Sequence, residues 1–124
     1  MRQKYLKCEK CGNMVALVKK NENDIVCCGE PMKELVAGEV DAAEEKHIPI
    51  YSIDNGKVTV KVGDVEHPST EEHHIEWISI QTKAGNQRKA IKPGDEPKAE
   101  FLIDESDEIE AVYAYCNLHG LWKA

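Results

Sequence analysis

Cysteine and histidine, the side chains that most readily bind transition metals, are distributed unevenly along this sequence. Four of the five cysteines lie within the first 28 residues, and the fifth lies near the end. The five histidines all come after residue 46. An odd number of cysteines fits a disulfide framework poorly, so the pattern predicts two metal sites of different ligand chemistry.

The first cysteine group has the spacing of a tetrathiolate metal site. Cys8 and Cys11 are separated by two residues, Cys27 and Cys28 are adjacent, and a glycine follows each pair. Glycine permits the tight turns that present two sulfurs to one ion, and zinc and iron both accept such ligands. The alternative is a redox-active dithiol, but a Cys-x-x-Cys motif of that kind normally opens a helix after a strand, which this sequence lacks.

The second group combines imidazoles with one thiolate. Cys116 is expected on the apolar face of a strand, three residues before His119, and the other histidines, His47, His67, His73 and His74, are expected at strand ends or in loops. A rigid β-framework can bring such positions together, which predicts a mixed nitrogen and sulfur metal site. His73 and His74 are adjacent, so only one of them can face the site, and alternation alone does not choose between them.

The elements that must position these ligands are predicted to be all β. Val58, Val60 and Val62 alternate with polar residues, and the preceding Asn55-Gly56 favours a tight hairpin turn after a strand over residues 48–53. Further strands are predicted over residues 75–82, 98–103 and 109–116, with no amphipathic helix. Short strands with turn signals at this spacing indicate an antiparallel β-sandwich.

Two domains of unequal size are expected. Residues 1–37 hold the four clustered cysteines and two short apolar runs, and a unit this small needs a bound metal to fold. Residues 38–124 form the sandwich, and residues 37–44 are interpreted as a charged linker.

Charge and hydropathy exclude several classes of function. The net charge of −7 is a poor match for a phosphate backbone, so no nucleic-acid partner is expected. The apolar runs are too short to cross a bilayer, and no hydrophobic leader precedes Cys8, so a cytoplasmic protein is expected.

Several of these stretches resemble the desulfoferrodoxin family. Residues 8–13 and 27–33 are similar to its desulforedoxin-type metal module, which is rubredoxin-like. Residues 45–49, 67–68, 72–78 and 115–122 are similar to its superoxide reductase domain, in the same order. The resemblance covers nearly the whole chain and implies an immunoglobulin-like β-sandwich for the second domain.

The resemblance implies two non-heme iron ions per chain. The first would be bound by Cys8, Cys11, Cys27 and Cys28. The second would be bound by four equatorial imidazoles and one axial thiolate, which correspond to His47, His67, His73, His119 and Cys116. The family pattern selects His73, although the imidazole of His74 stands where an aromatic residue is common, and Ser69 stands where Met is frequent.

The resemblance also implies a reaction: one-electron reduction of superoxide to hydrogen peroxide by a homodimeric oxidoreductase, with a rubredoxin-like electron donor. Lys46 would guide the anionic substrate to the position opposite the axial thiolate, and Glu45 would take that position after product leaves. On the residues alone, an ordinary solvated pair is the favoured interpretation of Lys46 and Glu45, because most such charges are simply solvated.

Two alternatives belong to other functional classes. One is a zinc-stabilised protein-binding module, in which a four-cysteine knuckle supports a β-sandwich and the histidines are individually dispensable. The other is an iron-based redox sensor that binds metal without turnover. The histidine and cysteine pattern of the second site argues against the binding module, because a structural knuckle needs none of those residues.

Overall fold

The structure is a computed structural model that describes residues 3–124, and its residues cluster into two compact units, Met1–Val36 and Ala37–Ala124. The prediction of an all-β chain is confirmed, since the single helix among the described residues is one turn long. No helix in the described part of the chain has the length and apolar character needed to span a membrane.

The first unit is built from short strands around very few buried side chains. Its strands are β1 (Lys4–Lys7), β2 (Met14–Leu17), β3 (Val26–Cys27), β4 (Glu30–Pro31) and β5 (Lys33–Glu34). They form an antiparallel sheet in the order β2-β1-β5 and a separate β3–β4 hairpin. Among its described residues only Tyr5, Leu6 and Cys8 are buried apolar side chains, too few to offset the entropy of folding.

The second unit is an antiparallel sandwich of two sheets. It contains the helix α1 (Glu44–His47) and the strands β6 (Pro49–Asp54), β7 (Lys57–Val62), β8 (Ile75–Thr82), β9 (Asn86–Ala90), β10 (Lys98–Leu102), β11 (Ile109–Cys116) and β12 (Gly120–Lys123). The strand orders are β10-β7-β6 and β12-β11-β8-β9. Side chains from β7, β8, β10 and β11 form one buried cluster between the sheets, with Phe101 among its largest members.

The β6–β7 hairpin turns through Asn55-Gly56, as the sequence predicts. Both residues have positive φ, 48° and 80°, as a two-residue turn between twisted strands requires. The central residue pairs place Tyr51 opposite Val60 and Ile53 opposite Val58. The hairpin therefore fixes the register of the apolar face of β7, because a slip by one residue would turn that face to solvent.

Some elements differ from the sequence-based expectation. The last residue of the predicted charged linker over residues 37–44 is Glu44, which is the first residue of α1. Strands β1, β4, β5, β9 and β12 were not expected. Strand β9 (Asn86–Ala90) is fully exposed and polar except for Ala90, and it is held in the sheet by its antiparallel pairing with β8.

The two edges of the β10-β7-β6 sheet are treated differently. At the β10 edge, two side chains from β9 donate hydrogen bonds to backbone carbonyl groups that no strand pairs with. Gln87 Nε2 donates to Leu102 O at 2.9 Å, and Lys89 Nζ donates to Glu100 O. At the opposite edge, β6 has no neighbour among the described strands. Ile50, Tyr51 and Ile53 on β6 are each about half exposed.

Candidate metal centres

The four cysteines of the first unit lie together. Cys8 follows β1, Cys27 ends β3, and their sulfurs, with those of Cys11 and Cys28, all lie within 4.8 Å of one another. The Cys11 and Cys27 sulfurs are 3.6 Å apart, and the Cys27 and Cys28 sulfurs are 4.0 Å apart. Four sulfurs about 2.3 Å from one ion in a tetrahedron lie roughly 3.8 Å apart, so the group fits one tetrahedral metal ion.

Cys28 is held in an unfavourable backbone conformation. It forms, with Gly29, the two-residue turn between β3 and β4, and the φ angles are 53° and 76°. A left-handed φ costs a residue other than glycine about 1–2 kcal/mol. This turn directs Cys28 towards Cys27 and makes the adjacent pair usable by one ion.

The electrostatics of the four thiols also favour a cation. Hydrogen bonding from the Cys11 backbone N–H lowers the pKa of Cys8 to about 6, whereas the neighbouring thiol groups, Cys11 first, raise the pKa of Cys28 to about 12. Asn13, which sequence reasoning did not single out, donates from its backbone N–H to Cys11 at 3.4 Å and from Nδ2 to Cys27 at 3.6 Å. All four thiolates can coexist only when a positive ion neutralises them.

Four imidazoles of the second unit form a closed ring. Going round it, the ring centroids are 4.7 Å apart for His47 and His67, 4.6 Å for His67 and His73, 5.0 Å for His73 and His119, and 4.9 Å for His119 and His47. Each neighbouring pair is nearly perpendicular, and His47 lies diagonally across from His73 at 6.1 Å. Such a square presents nitrogen lone pairs to one central position.

Hydrogen bonds fix which nitrogens face inward. His47 Nδ1 bonds Ala43 O and His67 Nδ1 bonds Pro68 O, both at 2.7 Å. A carbonyl can only accept, so each Nδ1 carries the proton and each Nε2 keeps a lone pair. The Nε2 atoms of His67 and His73 are buried and have no hydrogen-bond partner among residues 3–124. Unpartnered buried nitrogens are costly, and a metal ion would satisfy them.

Cys116 completes the donor set. It is fully buried, its sulfur lies within 4.8 Å of ligand atoms from His47, His67 and His73, and it is 3.9 Å from His119 Nδ1. His119 Nδ1 in turn lies 3.1 Å from His47 Nε2, so His119 faces the site with Nδ1, whereas His47 faces it with Nε2. Burial raises the pKa of the Cys116 thiol. Hydrogen bonds from the backbone N–H groups of His119 and Leu118 lower it, but by less.

His47, His67 and His73 are neutral at neutral pH. Burial lowers the pKa of His47 and His73. Burial also lowers the pKa of His67 to about 4, although the hydrogen bond from this ring to the Pro68 carbonyl favours the charged form. Neutral imidazole is the form that binds a metal ion. Nitrogen and thiolate donors together suit a redox-active transition metal.

Trp122 supports this ring and was not assigned a role from the sequence. Its indole lies 4.9 Å from the His47 ring in a stacked arrangement, and Nε1 donates to His119 O at 3.0 Å. One aromatic side chain therefore contacts two of the four histidines. Its indole N–H has the partner that a buried tryptophan requires.

The other predicted site residues lie around the ring. Glu45 and Lys46 are exposed on α1, next to His47, and the charge of Lys46 contributes to lowering the pKa of both His47 and His73. His74 is not part of the ring. The Nδ1 atom of His74 is hydrogen-bonded to Thr70 O at 2.9 Å. The fourth ring of the square, beside those of His47, His67 and His119, is that of His73.

Gly63 allows the backbone after β7 to approach α1 closely. It has a φ of 85°, and a Cβ built there would lie 2.5 Å from Val65 O and 2.7 Å from Lys46 O. Two backbone bonds join the same segments, from Gly63 N–H to Ile48 O at 3.0 Å and from Val65 N–H to Glu45 O at 2.9 Å. The segment that carries His47 is therefore held by a contact that only glycine permits.

We expect Gly63→Ala to lower the free energy of unfolding by about 2–4 kcal/mol, because strain at positive φ adds to a clash with two carbonyl groups. Denaturant titration of the two proteins measures the difference. Gly94→Ala is the matched control, since Gly94 has a φ of 92° but open space around it, and should cost less. Equal losses for the two variants would contradict the close-packing argument.

Comparison with known proteins gives a consistent result for the whole chain. The profile described as desulfoferrodoxin matches residues 39–124, and that described as desulfoferrodoxin, N-terminal domain, matches residues 1–35. A desulfoferrodoxin homolog from Archaeoglobus fulgidus is 48% identical over 95% of this chain and 93% of its own. A desulfoferrodoxin from Nitratidesulfovibrio vulgaris is 47% identical over 95% and 92%. The crystal structure of the superoxide reductase from Treponema pallidum superposes with a TM-score of 0.84 at 29% identity, over 99% of this chain and 97% of that one.

Proposed function

Since the chain belongs to the desulfoferrodoxin family and is an enzyme of the superoxide reductase kind, we propose that it reduces superoxide to hydrogen peroxide by one electron. Two non-heme iron ions are its cofactors, and both groups of donor atoms fit them. The observation that carries the proposal is the square of four imidazoles with a buried thiolate beside it. A zinc-stabilised binding module has no use for such a donor set.

We assign the ligands as the sequence predicts. Cys8, Cys11, Cys27 and Cys28 would bind the first iron, and the second would be bound by the thiolate of Cys116 and by His47, His67, His73 and His119. At the second site, ferrous iron supplies the electron when bound, and its potential is tuned by the thiolate. An imidazole donates a neutral nitrogen lone pair, so the thiolate of Cys116 would be the anionic ligand of this site.

Lys46 is proposed to attract the substrate. Superoxide is an anion and the protein carries a net charge of −7, so a local positive charge is needed at the entrance. The ammonium group of Lys46 is exposed, and its charge acts on the rings of His47 and His73. Protons for the peroxide come from solvent at this exposed side.

Glu45 is proposed to replace the departing product. It is exposed, directly precedes Lys46, and is held by the bond from Val65 N–H to its carbonyl oxygen. The Glu45 carboxylate would compete with the product for the position that superoxide takes. It thereby favours release of peroxide.

The remaining assignments concern organisation. We propose that residues 1–37 act as an iron domain and residues 38–124 as the reductase domain, that a rubredoxin-like protein supplies the electron, and that the enzyme is a homodimer. The free edge of β6, with half-exposed Ile50, Tyr51 and Ile53, supports association with a second copy. A cytoplasmic location remains a prediction.

Mixing the reduced, iron-loaded protein with superoxide tests the reaction. A reductase yields one hydrogen peroxide for each superoxide consumed and oxidises its iron once, whereas a dismutase yields half as much peroxide and no net oxidation. Iron that binds but is not oxidised by superoxide would instead support the redox sensor.

Lys46→Ala should slow the capture of superoxide by roughly tenfold and flatten its dependence on ionic strength, because the steering charge is lost. Rapid-mixing or pulse-radiolysis rates across a salt series measure both effects. Lys61→Ala, at an exposed lysine on β7, is the control and should change neither. An unaltered rate and salt slope for Lys46→Ala would refute the steering role.

A further inference from the structure

The β8–β11 pairing is irregular where it reaches the second metal centre. Tyr115 lies opposite Trp77, but the next residue, Cys116, lies opposite Ile75, so the register shifts by one residue. Both strands end at that pair. His73 therefore lies beyond the end of the regular ladder, although its ring must be placed accurately against Cys116.

The side chain of Asn117 continues the ladder past this point. Its backbone N–H donates to His74 O at 3.1 Å, and its Oδ1 accepts from His74 N–H at 2.9 Å. Its Nδ2 donates to Glu72 O at 3.0 Å. The side-chain amide thus accepts and donates as a peptide group would, and it tethers the residues on both sides of His73.

His73 has more need of a tether than two of the other histidines. The rings of His47 and His67 are each fixed by a bond from Nδ1 to a carbonyl and are only 2% exposed. For the His73 ring, which is less buried, the described residues show no such bond. Its main chain is held instead, since Thr70 Oγ1 accepts from His73 N–H at 3.1 Å and Thr70 N–H donates to His73 O at 2.9 Å.

We propose that Asn117 is a positioning residue that fixes His73 relative to Cys116 by acting as a substitute peptide group. The inference rests on the ligand set of the proposed function. Because Asn117 directly follows Cys116 and is hydrogen-bonded to the residues on both sides of His73, it links two ligands of one metal ion. Outer partners that orient metal ligands commonly change metal affinity by roughly 10- to 100-fold.

The test uses the full-length, iron-loaded chain with Asn117→Leu, which keeps the approximate size and removes both side-chain hydrogen bonds. We expect iron to leave the histidine and cysteine centre for a ferrous chelator at least about tenfold faster. We also expect the thiolate-to-iron absorption band of that centre to shift, and the tetrathiolate spectrum to stay unchanged. Amide exchange at His74 in the metal-free protein should accelerate, because its acceptor is gone.

Two further variants separate the possible outcomes. Ser69→Ala removes hydrogen bonds to Asp95 O and Gly94 N–H in the same loop without touching His73, and should leave iron release unchanged. His73→Ala should release iron rapidly; if it does not, the proposed ligand set fails rather than the role of Asn117. Natural rates of iron release and an unshifted band in Asn117→Leu, with rapid release in His73→Ala, would overturn the inference.

Should Asn117→Leu not fold, Asn117→Asp decides the question. It keeps the acceptor for His74 N–H and loses the donor to Glu72 O. We expect faster iron release than in the natural chain with His74 amide protection retained. Release at the natural rate would show that the bond to Glu72 has no part in holding His73.

Discussion

Cys116→Ser is expected to abolish the thiolate-to-iron absorption of the second centre and to lower the rate of superoxide reduction at least about 100-fold. Changes to partners that merely orient a ligand cost up to roughly that factor, and Cys116 is proposed as a direct ligand. The buried sulfur of Cys116 would be the anionic ligand beside the four imidazoles. Serine retains the size but stays protonated in so apolar a place.

The spectrum of the first centre provides the internal control for this experiment. The tetrathiolate bands arise from Cys8, Cys11, Cys27 and Cys28, which belong to the other unit, and should be unaffected by Cys116→Ser. Anaerobic spectra of the oxidised protein, combined with iron content, separate loss of the band from loss of the metal. Persistence of the band would disprove the assignment of Cys116.

Loss of the metal from the first centre should unfold the first unit and leave the second folded. With three buried apolar side chains among its described residues, the first unit depends on its ion. Structural zinc contributes about 10–16 kcal/mol to folding of comparable small domains. Cys11→Ser tests this cleanly, because Cys11 is exposed and its replacement removes a ligand with little loss of packing.

Amide hydrogen exchange resolved along the chain measures the effect. Residues 4–17 should lose protection in Cys11→Ser, and β8 and β11 should keep theirs. Val18→Ser is the control, since Val18 is 92% exposed and belongs to the same unit, and it should leave protection unchanged. A protected first unit in the metal-free variant would show that its core suffices without the ion.

Strands with clear alternation or a long apolar face were predictable from the sequence. The predicted boundaries of β8 and β11 are those of the structure, because both strands are almost entirely buried and their composition shows it. Strand β9 was not predictable, since Asn86–Ala90 has neither alternation nor burial. Helix α1 was missed because one turn without a side-chain cap leaves no periodic signal.

The proposed metal ligands could be predicted from the sequence, but the residues that hold those ligands in position could not. Cysteine and histidine stand out by residue type, so the donor set could be proposed from the chain alone. The supporting residues are of ordinary types whose roles depend on contacts distant in sequence, such as the bond between Asn117 and Glu72, or the stacking of Trp122 on His47. Gly63 could have been suspected only from the φ that its position requires.

The capping of the β10 edge by Gln87 and Lys89 has a consequence for self-assembly. A sheet with two open edges can add copies at both ends and grow into a fibre. In the β10-β7-β6 sheet, side chains already bond to backbone carbonyl groups at the β10 edge. The β6 edge is therefore the one that is open to pairing with another strand. If two copies join through β6 as proposed, each would use its one open edge of this sheet, and the sheet would grow no further.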